Sequence, residues 1–68
     1  MRAARYEIRV HGRLSPAQLE RFEDMESEIG PVESVLQGPV RDQSELHGLL
    51  NRIQALGLEL IEVRRLPG

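Results

Sequence analysis

Residues 25–35, MESEIGPVESV, decide the fold. Met25-Glu26-Ser27-Glu28-Ile29 alternates as an edge strand does, and Gly30-Pro31 is a turn signal. Val32-Glu33-Ser34-Val35-Leu36-Gln37 then continues as a second extended run. The same residues support another reading. Leu19, Phe22, Met25 and Ile29 recur at helical spacing, so one helix could run from residue 16 to Gly30-Pro31. A hairpin leaves a short helix over residues 16–24 and gives the order β-α-β-β-α-β. A continuous helix gives β-α-β-α-β, and periodicity alone slightly favours it. Either order is α+β, with two helices on one face of a small sheet; the hairpin order is the ferredoxin-like arrangement.

The flanking segments are better determined. Tyr6-Glu7-Ile8-Arg9-Val10 alternates strictly, which predicts a half-buried strand. Its polar side extends to Arg5, Glu7, Arg9, His11 and Arg13, and Gly12 lets the chain bend out of the sheet. Ser15-Pro16-Ala17-Gln18 is a helix start, with Ser15 as cap, Pro16 at the first helical position and Gln18 completing a capping box. Leu14 and Leu19 occupy the positions of a hydrophobic staple. Residues 33–40 form the next strand. Pro39 has no N–H to give a ladder, so this part belongs at an edge, a bulge or the sheet end.

Asp42 caps the second helix, and Glu45 stands where it would complete another capping box. Leu46, Leu49, Leu50, Ile53 and Leu56 make one apolar stripe. Gly57 suits the left-handed position after the helix, with Leu58 reaching back to Ile53. The last strand, residues 58–66, loses its alternation around Leu60-Ile61. That slip marks either a bulge or cover on both faces. The expected core is Tyr6, Ile8, Val10, Phe22, Leu36, Leu46, Leu49, Leu50, Ile53 and Ile61.

One domain of 68 residues buries only about 60% of its unfolded surface. No cysteine is present, and Tyr6 and Phe22 are the only aromatic residues. The core is therefore aliphatic and small, a situation that commonly recruits a second chain. Net charge is −2 and all nine basic residues are arginine, which gives no general attraction to nucleic acid or to an anionic membrane. No apolar run approaches the ~20 residues that span a bilayer. The N-terminus MRAARYEIRV lacks an apolar signal core. A cytoplasmic protein is expected.

YEIRVHGRL near the start and VLQGPVRDQSELHGLLNRIQALGLELIEVRRL at the end resemble a family of short uncharacterised bacterial proteins, frequent in actinobacteria and other GC-rich lineages. The resemblance covers roughly residues 5–66. It is strongest over G-P-V-x-D-Q-x-x-L-H-G-L-L, residues 38–50, and weakest over 23–34. Members of that family carry a glycine-containing hairpin where this chain has MESEIGPVESV. The resemblance therefore implies the hairpin and the ferredoxin-like order. It implies no catalytic residue.

Candidate site residues are Arg5, Arg9, His11, His47, Gly48 and Arg64. His47 lies on the flank of the leucine stripe, where it would be a pH-sensitive contact or a ring covering the core edge. Gly48 costs about 1 kcal/mol relative to alanine inside a helix. Close approach by another backbone, from the first helix or a partner chain, would offset that cost. Arg5, Arg9 and Arg13 share a sheet face with Glu7 and His11, and Arg64 or Arg65 could join them from the last strand. Base stacking needs aromatic rings on that face, and arginine and glutamate stand there instead.

The acidic run Glu20, Glu23, Asp24, Glu26 and Glu28 reads as a solvated face. Two histidines without cysteine or an HExxH pattern give no metal site. No glycine-rich phosphate loop or serine nucleophile stands out, and no cofactor is implied. The expectation is a non-enzymatic interaction module that self-associates through its open sheet face, with an unidentified protein partner as a further option. The alternative is a regulatory module that holds an anion with Arg5, Arg9 and Arg64.

Overall fold

The computed structural model describes residues 3–67. It contains β1 (Ala4–His11), α1 (Pro16–Leu19) running on into a 3-10 turn (Glu20–Phe22), β2 (Glu26–Ile29), β3 (Glu33–Val40), α2 (Gln43–Ala55) and β4 (Glu59–Arg65). The four strands form one antiparallel sheet in the order β2-β3-β1-β4. The protein is a small α+β fold of one four-stranded sheet and two helices.

The hairpin reading of residues 25–37 is the one the structure adopts, and the first helix is shorter than 16–24. Pairing explains the outcome. As β2, Glu26 to Ile29 find backbone partners along Gln37 to Ser34. Ile29 then packs against the core while Glu26 and Glu28 stay in water. The helix ends once Phe22 is buried, and the Met25 N–H closes back on the Phe22 carbonyl at 2.9 Å.

Cross-strand pairing sorts each residue to one face. Ile8 stands opposite Leu36 and Val63, and Val10 opposite Ser34 and Leu60. These positions face the helices. The buried cluster is Ile8, Val10, Leu14, Phe22, Leu36 and Ile53, with Leu49, Leu50, Leu56, Leu58 and Val63 packed against it. Three core expectations need correction. Tyr6 and Leu46 are only half-buried, and Ile61 is 46% exposed. Ile61 is the extra residue of a bulge: Arg9 pairs with Glu62 and Val10 with Leu60, so Ile61 has no partner on β1. The bulge resets the side-chain phase and returns Val63 to the core side.

The predicted caps form with one change. Ser15 accepts from the Gln18 N–H while Gln18 accepts from the Ser15 N–H, the reciprocal box. Gly12 (φ 101°) turns the chain out of β1, so Arg13 lies beyond the strand. At the end of α2, Gly57 (φ 75°) donates to the Gln54 carbonyl and Leu58 to the Ile53 carbonyl. These are the two bonds of a Schellman ending. Asp42 caps Glu45 as expected, but the Glu45 carboxylate does not return to Asp42. It accepts from the N–H of Arg41 at 3.1 Å and from the Arg41 guanidinium at 2.9 Å.

Close backbone approach occurs at Gly38. A Cβ there would sit 3.0 Å from Met25 Cγ and 3.3 Å from Met25 Cα. Pro39 lies past the end of β2, where β3 has β1 on one side only. Arg52 ties the helices together: its guanidinium donates to the Arg21 carbonyl at 2.5 Å and lies 5.8 Å from the Phe22 ring centroid. No helix among the described residues is long and apolar enough to cross a membrane.

Ser34 is fully buried on the helix side. Its hydroxyl donates to the Gly12 carbonyl at 2.8 Å and accepts from the Leu14 N–H at 3.4 Å. It replaces the backbone partners that the loop between β1 and α1 lacks. Ser34→Ala leaves both groups without that partner, at a cost of about 1–3 kcal/mol. Urea unfolding should show the midpoint falling with an unchanged slope, and an unmoved midpoint would refute the role.

Candidate functional site

The open face of the sheet collects the charges. β1 contributes Arg5, Glu7, Arg9 and His11. Their cross-strand partners are Pro39, Gln37, Val35 and Glu33 on β3, and Arg64, Glu62 and Glu59 on β4 beside Glu7, Arg9 and His11. Glu26 and Glu28 join from β2, opposite Gln37 and Val35.

Glu7 is the hub, and its residue is 7% exposed. One carboxylate oxygen accepts from the Gln37 amide at 3.1 Å, and the other from Arg64 at 2.8 Å. Arg9 lies 3.6 Å from that second oxygen. The Arg64 hydrogen bond is the main reason that the Glu7 pKa lies below its ordinary 4.5; partial burial opposes the shift, and Gln37 and the charges of Arg64 and Arg9 reinforce it. Arg9 itself is ringed by carboxylates. It hydrogen-bonds Glu33, with Glu7 nearby and Glu62 at 3.9 Å. The Glu33 bond foremost, together with the charges of Glu33, Glu7 and Glu62, raises its pKa against the opposing pull of desolvation. Arg5 pairs with Glu26 at 3.3 Å.

Three of the expected residues, Arg5, Arg9 and Arg64, therefore lie on one face, each within reach of a carboxylate of the same chain. His11 is exposed at the far end of β1 on that face. His47 and Gly48 stand apart on α2, and both are exposed. The first helix does not approach Gly48: apart from its own helix backbone and chain neighbours, no described atom comes within 4 Å of the position its Cβ would take. Sequence reasoning did not single out Glu7, Glu33 or Gln37 as a group. Only the register of β1 against β3 places them together, and alternation does not carry register.

The face holds three arginines against the glutamates at 7, 26, 28, 33, 59 and 62. Its charges are self-neutralising with a carboxylate surplus. Among the described residues no group of three or more histidine, aspartate or glutamate side chains could hold a metal ion. The residues Glu20, Glu23, Asp24, Glu26 and Glu28 are all exposed.

Two outcomes follow. A carboxylate whose pKa is depressed on folding stabilises the protein above its unfolded pKa and loses that contribution as pH falls through the folded value. Stability should therefore drop below about pH 4.5, the ordinary value, and Glu7→Gln should flatten the drop in urea midpoints between pH 7 and pH 3. The flattening should be partial, because Glu45 is also depressed, mainly by Arg41. An identical acid profile in the variant would contradict the hub assignment. For Gly48, the open surroundings predict that alanine raises thermal stability by up to about 1 kcal/mol through helix propensity alone. A loss of stability would instead require a partner backbone at that site.

No curated protein and no solved structure matches the chain. A family model does match, over residues 5–64, a span from the start of β1 to the charged end of β4. By that match the chain belongs to the family described as a domain of unknown function (DUF8691).

Proposed function

We propose that the protein is a small interaction module, without chemistry of its own, that acts by associating with a second copy of itself. The observation that carries this reading is a pair of adjacent aliphatic side chains on an outer strand. Leu60 and Ile61 of β4 are 44% and 46% exposed. The helical layer beside them is thin, since α1 has four residues and α2 thirteen. Leu50, Ile53, Leu58 and Leu60 line a shallow depression between α2 and β4. A chain with so small a core gains more from covering such surface than a larger domain does.

The anion-binding alternative has less support. An anion entering at Arg5, Arg9 or Arg64 would displace a carboxylate already paired with it and approach the remaining glutamates of the face. Nor does the face favour nucleic acid: the open-face positions of the two central strands carry no phenylalanine, tyrosine or tryptophan for a base to stack on, and the one imidazole, His11, stands at the strand end between Glu33 and Glu59.

We also read the architecture as ferredoxin-like. Counted from the β4 edge, the strand order is 4-1-3-2 with every neighbour antiparallel. Phe22, ahead of the hairpin, and Ile53 of α2 enter one core with Ile8 and Leu36, which puts both helical segments on the same side.

Association links stability to concentration. Thermal unfolding across a dilution series, with light scattering at each step, should give a midpoint that rises with protein concentration and a mass above that of the monomer. A monomer with a concentration-independent midpoint would overturn the reading. If that midpoint then rose on adding inorganic phosphate, the anion-binding alternative would replace it.

A further inference from the structure

The self-association proposed above does not say which surface is used, and the charges disfavour the open face. Stacking two such faces would oppose one carboxylate surplus to another. The outer edge of β4 has the opposite property. From the edge geometry we infer that a second copy of this chain pairs antiparallel along β4, centred on Val63, to make one continuous sheet.

Backbone direction selects the centre. The Leu66 N–H donates to the Arg5 carbonyl of β1 at 2.8 Å. With the two-residue period of a strand, Arg64 and Glu62 also turn their backbone groups to β1. Val63 and Arg65 turn theirs outward, to an edge with no strand beyond it. A twofold axis at Val63 lets each Val63 N–H meet the carbonyl of Val63 in the other copy. Glu62 then falls opposite the other copy's Arg64, and Arg64 opposite its Glu62.

These flanking positions form the pairs that do not exchange backbone bonds, where side chains stand closest. Glu62-Val63-Arg64 is thus self-complementary in charge about its own centre. Both charged side chains are available, 51% exposed for Glu62 and 57% for Arg64. Each would link the intrachain networks, since Glu62 lies near Arg9 and Arg64 bonds Glu7.

The neighbouring pair agrees. Ile61 comes opposite Arg65, whose aliphatic stem can cover it and which has no acidic partner among the described residues. Leu60 lies beyond the bulge, outside the regular ladder, on the helix side where the apolar depression opens. A shift of one residue in the sum of paired numbers breaks the match of faces. A twofold centred on Glu62 opposes like charges. The bulge at Ile61 ends the regular edge, so the ladder is short, and the dimer is weak and sensitive to concentration.

The inference rests on the self-association reading, and the test separates the two. Glu62→Arg alone would place arginine against arginine at both flanks. Arg64→Glu, combined with Glu7→Gln to avoid opposing carboxylates within the chain, would place glutamate against glutamate. By sedimentation velocity each variant should dimerise roughly tenfold more weakly than the parent or worse, and an equimolar mixture should recover the dimer.

Circular dichroism checks that each variant folds. If the charge variants do not fold, amide exchange on the unaltered chain decides. Val63 N–H protection should rise with concentration, whereas the edge amide of a dimer formed elsewhere stays unprotected. A dimer unaffected by either variant, or with an unprotected Val63, overturns the edge inference and leaves self-association standing. A parent chain that stays monomeric at every concentration overturns both.

Discussion

Everything in this molecule is arranged around one strand paired on both sides. β1 has β3 along one edge and β4 along the other, so its two side-chain sets are each sandwiched between two neighbours. Ile8 and Val10 become fully buried on the helix side, and Glu7 reaches near-burial on the other. A carboxylate in that position must be hydrogen-bonded or it becomes costly. Gln37 from β3 and Arg64 from β4 supply the bonds, so the charge on the central strand recruits one partner from each neighbour.

Ion pairs whose cation is as exposed as Arg64 add little to stability one by one. Their greater effect is on register. The open face offers few apolar side chains to penalise a slipped strand, and slippage by one residue would invert every side chain. With Glu7 central, a slip of β4 removes Arg64 from its oxygen and Glu62 from the neighbourhood of Arg9 at the same time. The charges therefore choose among alignments that the backbone ladder alone would leave nearly equal. On the helix side, Leu36 beside Ile8 and Ser34 holding the β1–α1 loop enforce the same alignment of β3.

What was legible in the chain was local. Ser15-Pro16-Ala17-Gln18 and the Gly57-Leu58 ending each declare themselves within six residues, because their hydrogen bonds close inside that span. The alternation slip at Leu60-Ile61 located the bulge without identifying which residue was extra, since that depends on pairing with β1. Residues 25–29 were ambiguous because Met25 and Ile29 satisfy both periods, and backbone partners 5 to 11 residues on, not a propensity, settle them. Gly48 shows the same limit: its cost inside a helix is visible in sequence, but the neighbour that would justify it is not, and the first helix does not supply one. Gly38, where the chain does approach closely, lies in a strand and carries no comparable local signal. Glu7 looked like any outward-facing charge until its two neighbours were in place.

The two outer strands are unequal in a way that limits how large an assembly can grow. β2 is four residues long and carries Glu26 and Glu28, while β4 is seven residues long and ends in Arg64-Arg65. Short, charged edges resist further strand addition. A twofold pairing at β4 uses both copies of the receptive edge at once and leaves only the two acidic short edges at the ends of the joined sheet. Such a sheet would be closed to polymerisation by its own outer edges, so the pairing proposed for β4 would stop at two copies and not seed a fibre.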